Sequence, residues 1–196
     1  MSRNKKEENP ENLTEEELRE QKKQQRKKDN ISMLITVIAT LVLFECIFVL
    51  HKIPSSSMEP TIRTRSIAVC WRLPYLLGDP EPERGDIVSF RDPDSSRILI
   101  KRVIGLPGDV IAFDNEGNVF RNGELLQEDY LLAQKSTFAP LAQYEVPEGC
   151  FFAMGDNRQS SADSRFKDTT YMQISSIYAK ELVSFYAPIF FIGSKY

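Results

Sequence analysis

Residues Ile31 to Leu50 read ISMLITVIATLVLFECIFVL, twenty positions broken by one charge, Glu45. At 1.5 Å per helical residue they span roughly 30 Å, the thickness of the hydrocarbon layer of a bilayer. No other stretch constrains the chain as strongly. Backbone in lipid must satisfy its own hydrogen bonds, and for one isolated segment only a helix does so. A cleavable secretory leader is the competing reading, but its apolar region runs to about 7–15 residues, shorter than this one. The sequence therefore predicts a retained transmembrane helix over 31–50. Glu45 reads either as a protonated or snorkelling side chain near the interface or as a polar contact to a partner helix.

The flanks orient the span. Lys22, Lys23, Arg26, Lys27 and Lys28 crowd its N-terminal side, against Lys52, Arg63 and Arg65 on the other. Basic residues stay inside, so the N-terminus is expected in the cytoplasm and residues 51–196 outside the cell membrane. Residues 1–30 hold nine basic and eight acidic side chains and almost no large apolar ones. They read as a disordered cytoplasmic tail. Within it, Thr14 and Glu17 stand at capping-box spacing and permit a short helix. The Asn12-Leu13-Thr14 and Asn30-Ile31-Ser32 sequons read as chance matches.

Beyond the span, 51–196 is long enough for a core without metal or disulfide support. Short β-favouring runs recur at Ile67–Trp71, Asp86–Phe90, Ile98–Ile104, Val110–Phe113, Val119–Leu126, Cys150–Met154 and Leu182–Phe191. Asn122-Gly123 marks a type I′ hairpin turn. A mainly β domain is expected, with one short helix over Tyr171–Ala179. Trp71, Leu73, Pro74, Tyr75, Leu76 and Leu77 form an apolar cluster, read either as core or as a surface dipping into the bilayer interface.

Several function classes fall away. A net charge of −3 offers no general nucleic-acid surface. One histidine and three scattered cysteines show no metal-ligand spacing, and no cofactor motif is present. Cys70 and Cys150, each flanked by apolar residues, are expected to be buried free thiols.

Chemistry concentrates in three segments. Ser57 follows Ser55 and Ser56 in a run that alone reads as a polar linker. A serine hydroxyl needs an adjacent base to attack a carbonyl. The only histidine, His51, is tied to the membrane boundary, so a lysine is the available base. Lys101 sits in the apolar strand ILIKRVIG, where alternation places it with Leu99 and Val103. Burial would favour its neutral amine, whereas Arg102 cannot deprotonate. Residues 155–165, GDNRQSSADSR, carry unusually dense polar groups. Asp163 and Arg165 could pair, and Ser160, Ser161 and Ser164 each offer a hydroxyl to orient an amine.

Four segments in order, Ser57–Thr61 (SMEPT), Arg84–Val88 (RGDIV), Lys101–Asp109 (KRVIGLPGD) and Gly155–Arg165, resemble type I signal peptidases, membrane-anchored Ser-Lys serine proteases of the compact Gram-positive-like form. The resemblance implies a coiled antiparallel β-sheet domain without cofactor. It makes Ser57 the nucleophile and Lys101 the general base. Ser55 and the Ser57 N–H become the oxyanion hole, Ser161 the hydroxyl that orients the lysine, and Asp163–Arg165 a supporting pair. Asp156, Asn157 and Arg158 are supporting residues of the same motif. Ser56 stands where a glycine is common. The partners implied are signal peptides of exported preproteins, the lipid bilayer and a position near the secretion translocon. Two rivals share features of the reading. One is a self-cleaving repressor-type Ser-Lys peptidase. The other is a non-enzymatic membrane-anchored relative that binds exported chains.

Overall fold

The computed structural model describes residues 14–77, 82–131, 137–166 and 170–191. The chain divides into two compact units, Met1–Glu45 and Cys46–Tyr196. Residues 1–13 of the expected tail, and the Asn12 sequon with them, lie outside the described residues.

The first unit carries most of α1, a single helix over Glu15–Ile47 that is long and apolar enough to cross a membrane. Its start is a capping box. Thr14 N donates to Glu17 Oε2 at 2.9 Å, and Glu17 N donates back to Thr14 Oγ1 at 3.4 Å. Glu15, Glu16 and Glu17 place negative charge at the positive end of the helix dipole. Residues 15–30 are thus helical where a disordered tail was expected. They are rich in strong helix formers, and continuity with the apolar run spares them the cost of nucleation. The helix also stops at Ile47, and Phe48–Leu50 join a strand instead.

The second unit is built on two antiparallel sheets. The larger contains β1 (Phe48–Ile53), β2 (Ser66–Trp71), β3 (Ile87–Arg91), β4 (Ile98–Gly105), β9 (Cys150–Met154), β10 (Met172–Gln173) and β11 (Ile177–Tyr186), ordered β1-β2-β11-β3-β4-β9-β10. The smaller contains β5 (Val110–Phe113), β6 (Val119–Arg121), β7 (Glu124–Leu125) and β8 (Gln143–Glu145), ordered β7-β6-β5-β8. Asn122 and Gly123 both have positive φ, 55° and 82°, as a type I′ turn between β6 and β7 requires.

Three buried clusters hold the sheets together. Ile53, Met58, Ile62 and Cys70 pack beneath the nucleophile segment. Phe90, Val103 and Phe151 fill the centre of the larger sheet, and Ile111, Tyr144 and Phe152 join it to the smaller one. Each fully buried aromatic contributes on the order of 2–3 kcal/mol of apolar burial. Cys70 and Cys150 are free thiols, and burial pushes Cys70 up to about 12.

The expected helix over Tyr171–Ala179 is not formed. This segment is β10, a 3-10 turn at Ile174–Ser176 and the start of β11. Ile174 and Ile177 stand three apart, as on a helix face, but Ile174 lies in the 3-10 turn, while Ile177 and Ala179 pair with Phe90 and Ser89 on β3. Trp71, Leu76 and Leu77 are exposed rather than core, while Tyr75 packs on the cluster around Phe90. Trp71 ends β2, and the short helix α2, Leu73–Leu76, carries Leu76 with Leu77 at its C-terminal cap.

Candidate active site

Three elements converge on the site. The first is the loop after β1, which carries Ser55, Ser56 and Ser57. The second is β4, which carries Lys101. The third is the loop 155–165 after β9. Ile53 before the first loop and Met58 and Ile62 after it are sunk in the core, so the intervening serines are held by anchors on both sides. Ser56 is not among the positive-φ residues, so a side chain is tolerated where a glycine is common.

Lys101 is 4 % exposed, and its Nζ stands 2.8 Å from Ser57 Oγ and 3.0 Å from the Ile100 carbonyl. Ser57 is itself buried to 8 % exposure, and its Oγ lies 3.3 Å from Ser55 Oγ. A base and a nucleophile within hydrogen-bond reach, beside a second hydroxyl, form the basic geometry of nucleophilic catalysis. Strand pairing places Lys101 opposite Val88 on β3, and the apolar residues Leu99 and Val103 flank it along β4.

The 155–165 loop braces the nucleophile from behind. Asn157 N donates to the Ser57 carbonyl at 3.0 Å, and Asn157 Nδ2 donates to the Ser56 carbonyl at 3.1 Å. Asp163 and Arg165 form a fully buried ion pair at 2.8 Å. Asp163 Oδ2 also accepts the Gly155 N–H at 3.0 Å, and Arg165 Nη2 donates to the Arg158 carbonyl at 2.9 Å. The pair therefore fixes both ends of the loop. Asp156 faces Arg102, which chelates it at 2.8 and 2.6 Å, while Thr61 Oγ1 donates to it at 2.5 Å. Burial would weaken the charge on Arg102, but Asp156 outweighs it and holds the guanidinium more firmly protonated than usual.

One expected residue stands differently, and one supports the loop from further away. Ser161 Oγ is buried and makes no hydrogen bond, so it sits beside Gly155 without the bond to the lysine amine that the resemblance implies. Arg158 donates to Gly155 O within the loop, but its guanidinium end goes to Glu128 and Thr137.

Sequence reasoning missed Arg102, Thr61 and Glu128. Arg102 was visible as the second charge in an apolar strand. Glu128 carried no signal, because its partner lies thirty positions away.

A cleft of about 380 Å³ opens beside the pair, lined chiefly by residues 51–55 of the β1 side and by Arg97 and residues 98–101 of β4. His51 is in its wall. Its ring stands edge-on to Tyr178 at 6.0 Å, and burial lowers its pKa so that it is neutral at pH 7. Among the described residues, no His, Cys, Asp and Glu cluster could hold a metal ion.

Residues 9–186 match the family model described as signal peptidase, peptidase S26. The chain is 40% identical over 121 residues to a probable signal peptidase I-2 of a Synechocystis species, covering 58% of this chain and 53% of that one. It is 32% identical over 154 residues to signal peptidase I of Pseudomonas fluorescens, covering 60% and 54%. The matches thus span about half the length of these two relatives. A crystal structure of a signal peptidase I from Enterococcus faecalis V583 aligns with a TM-score of 0.44 at 30% identity, covering 51% of this chain and 96% of that one. The chain belongs to the signal peptidase family, peptidase S26.

Proposed function

We propose that the chain is a membrane-anchored serine endopeptidase that removes signal peptides from exported preproteins through an acyl-enzyme. What carries the reading is the 2.8 Å contact between Lys101 Nζ and Ser57 Oγ in a buried setting. Ser57 Oγ attacks the scissile carbonyl carbon while the neutral Lys101 amine takes its proton. The Ser57 N–H and the Ser55 hydroxyl receive the developing oxyanion, a type of contact worth about 10²–10³ in rate. The C–N bond breaks, the leaving amine takes the proton back from Lys101, and an ester to Ser57 remains. Lys101 then deprotonates a water that cleaves the ester, which frees the signal peptide and restores the serine.

The substrate fits as an extended strand. β1 is an edge strand, and β9 covers β4 only from Arg102 onward, so both strand edges beside the cleft are open near Ser57. Backbone pairing along these edges would hold the peptide and leave alternate side chains to the walls. By family resemblance the walls accept small residues at the first and third positions before the cut.

The charge bias on either side of residues 31–50 supports a cytoplasmic N-terminus and a catalytic unit outside, near the translocon that delivers preproteins. The test is cleavage of a preprotein by the detergent-solubilised chain, with the product N-terminus sequenced. Release of a mature N-terminus just after an Ala-x-Ala segment is expected. An intact preprotein, or a cut elsewhere, overturns the reading.

A further inference from the structure

The segment after β7 sends two side chains to the 155–165 loop from outside every motif. The Glu128 carboxylate accepts Arg158 Nη1 at 2.9 Å and pairs with Nη2 as well. The Tyr130 hydroxyl donates to Glu128 Oε1 at 2.6 Å. The Tyr130 ring lies against Arg102, whose guanidinium carbon is 4.0 Å from the ring centroid.

One carboxylate and one ring therefore engage both arginines that border the site. Arg102 is the neighbour of Lys101 on β4 and holds Asp156. Arg158 is the neighbour of Asn157, which grips the Ser56 and Ser57 carbonyls. The Arg158 and Glu128 side chains are 2% and 9% exposed, so solvent and salt screen the pair little. Burial and the nearby Glu128 push the Tyr130 hydroxyl upward, which keeps it a donor at neutral pH.

We propose that Glu128 and Tyr130 form a positioning clamp. They fix Arg158 and Arg102, and through Asn157 and Asp156 they set the Ser57 loop against Lys101. The inference rests on Ser57 and Lys101 being the reacting pair. Both clamp residues act through other side chains and are positioning residues. A segment that only strapped the surface would contribute stability and leave turnover on the folded protein unchanged.

Three variants of the full chain in detergent decide it: Glu128→Gln, Tyr130→Phe and Tyr130→Leu. The substrate is a peptide spanning a cleavage junction with alanine at the first and third positions before the cut. The readouts are kcat, KM and thermal melting. Misplacement of the nucleophile predicts a fall in kcat of about tenfold to a hundredfold for Glu128→Gln and Tyr130→Leu, at unchanged KM. Tyr130→Phe keeps the ring under Arg102 and must lose less than Tyr130→Leu. A wild type that does not cleave removes the Ser57–Lys101 reading and the clamp with it. If the wild type cleaves, wild-type kcat in folded Glu128→Gln and Tyr130→Leu overturns the clamp alone. Should Glu128→Gln fail to fold, the tyrosine pair decides, and equal kcat in its two members overturns the proposal.

Discussion

Gly155 and Ser161 are packed with no room for a methyl group between them: a Cβ on Gly155 would stand 2.3 Å from the Ser161 hydroxyl and 2.4 Å from the Ser57 carbonyl oxygen. The second contact is with backbone that cannot swing away. Gly155→Ala must therefore push the nucleophile loop off the 155–165 loop. We expect cleavage to fall by about 10² or more, since an ångström of misplacement costs that much. Steady-state kinetics of the purified variant checks this, and wild-type kcat would refute the close packing.

Asp163 and Arg165 are both wholly buried. Removing one partner strands the other charge without water. Asp163→Asn is expected to cost about 3–5 kcal/mol of stability. Arg165→Lys will not restore it, because the guanidinium also donates to the Phe138 and Arg158 carbonyls. Urea unfolding of the two variants measures both effects.

Asp109 gives a pH-dependent signature. Burial would raise its pKa, but hydrogen bonds from Arg84, the Leu106 N–H and Asn122 outweigh it and lower it from 3.8 to about 2. A carboxylate whose pKa is depressed on folding stabilises the protein above its unfolded pKa and loses that contribution as pH falls through the folded value. Asp109→Asn should thus cost about 2 kcal/mol at pH 7. The difference from wild type should shrink between about pH 4 and pH 2. Stability curves of the two proteins across that window test the sign.

Much of this was legible in the sequence. The strands Val110–Phe113 and Cys150–Met154 lie where β-favouring runs placed them, and the Asn122-Gly123 turn has the backbone that its residues demand. Ser57 Oγ and Lys101 Nζ, expected as partners from the sequence, lie 2.8 Å apart. Other features were hidden for physical reasons. Phe48–Leu50 are apolar enough for lipid, and only pairing with β2 draws them into the sheet. Glu128 and Tyr130 become part of the site through tertiary contacts, which leave no local pattern. The unbonded Ser161 hydroxyl likewise depends on packing against Gly155 rather than on its motif.

Leu76 and Leu77 are 49% and 77% exposed at the end of α2, with Trp71 exposed nearby. Large apolar side chains at such a surface favour the bilayer interface. Replacing both leucines with serine should weaken the binding of residues 46–196 to liposomes without changing the melting temperature. Unfolding of the double variant would show instead that they support the core.

If Lys101 takes the Ser57 proton, the variant Lys101→Met must lose cleavage. Methionine keeps an apolar stem in the buried slot and removes the amine, so the protein should stay folded. Preprotein cleavage by this variant, measured alongside Ser57→Ala, is predicted to fall in both to the same residual level, because groups that act as a unit fail together. Substantial cleavage by folded Lys101→Met, with Ser57→Ala inactive, would mean that another group is the base and would contradict the account.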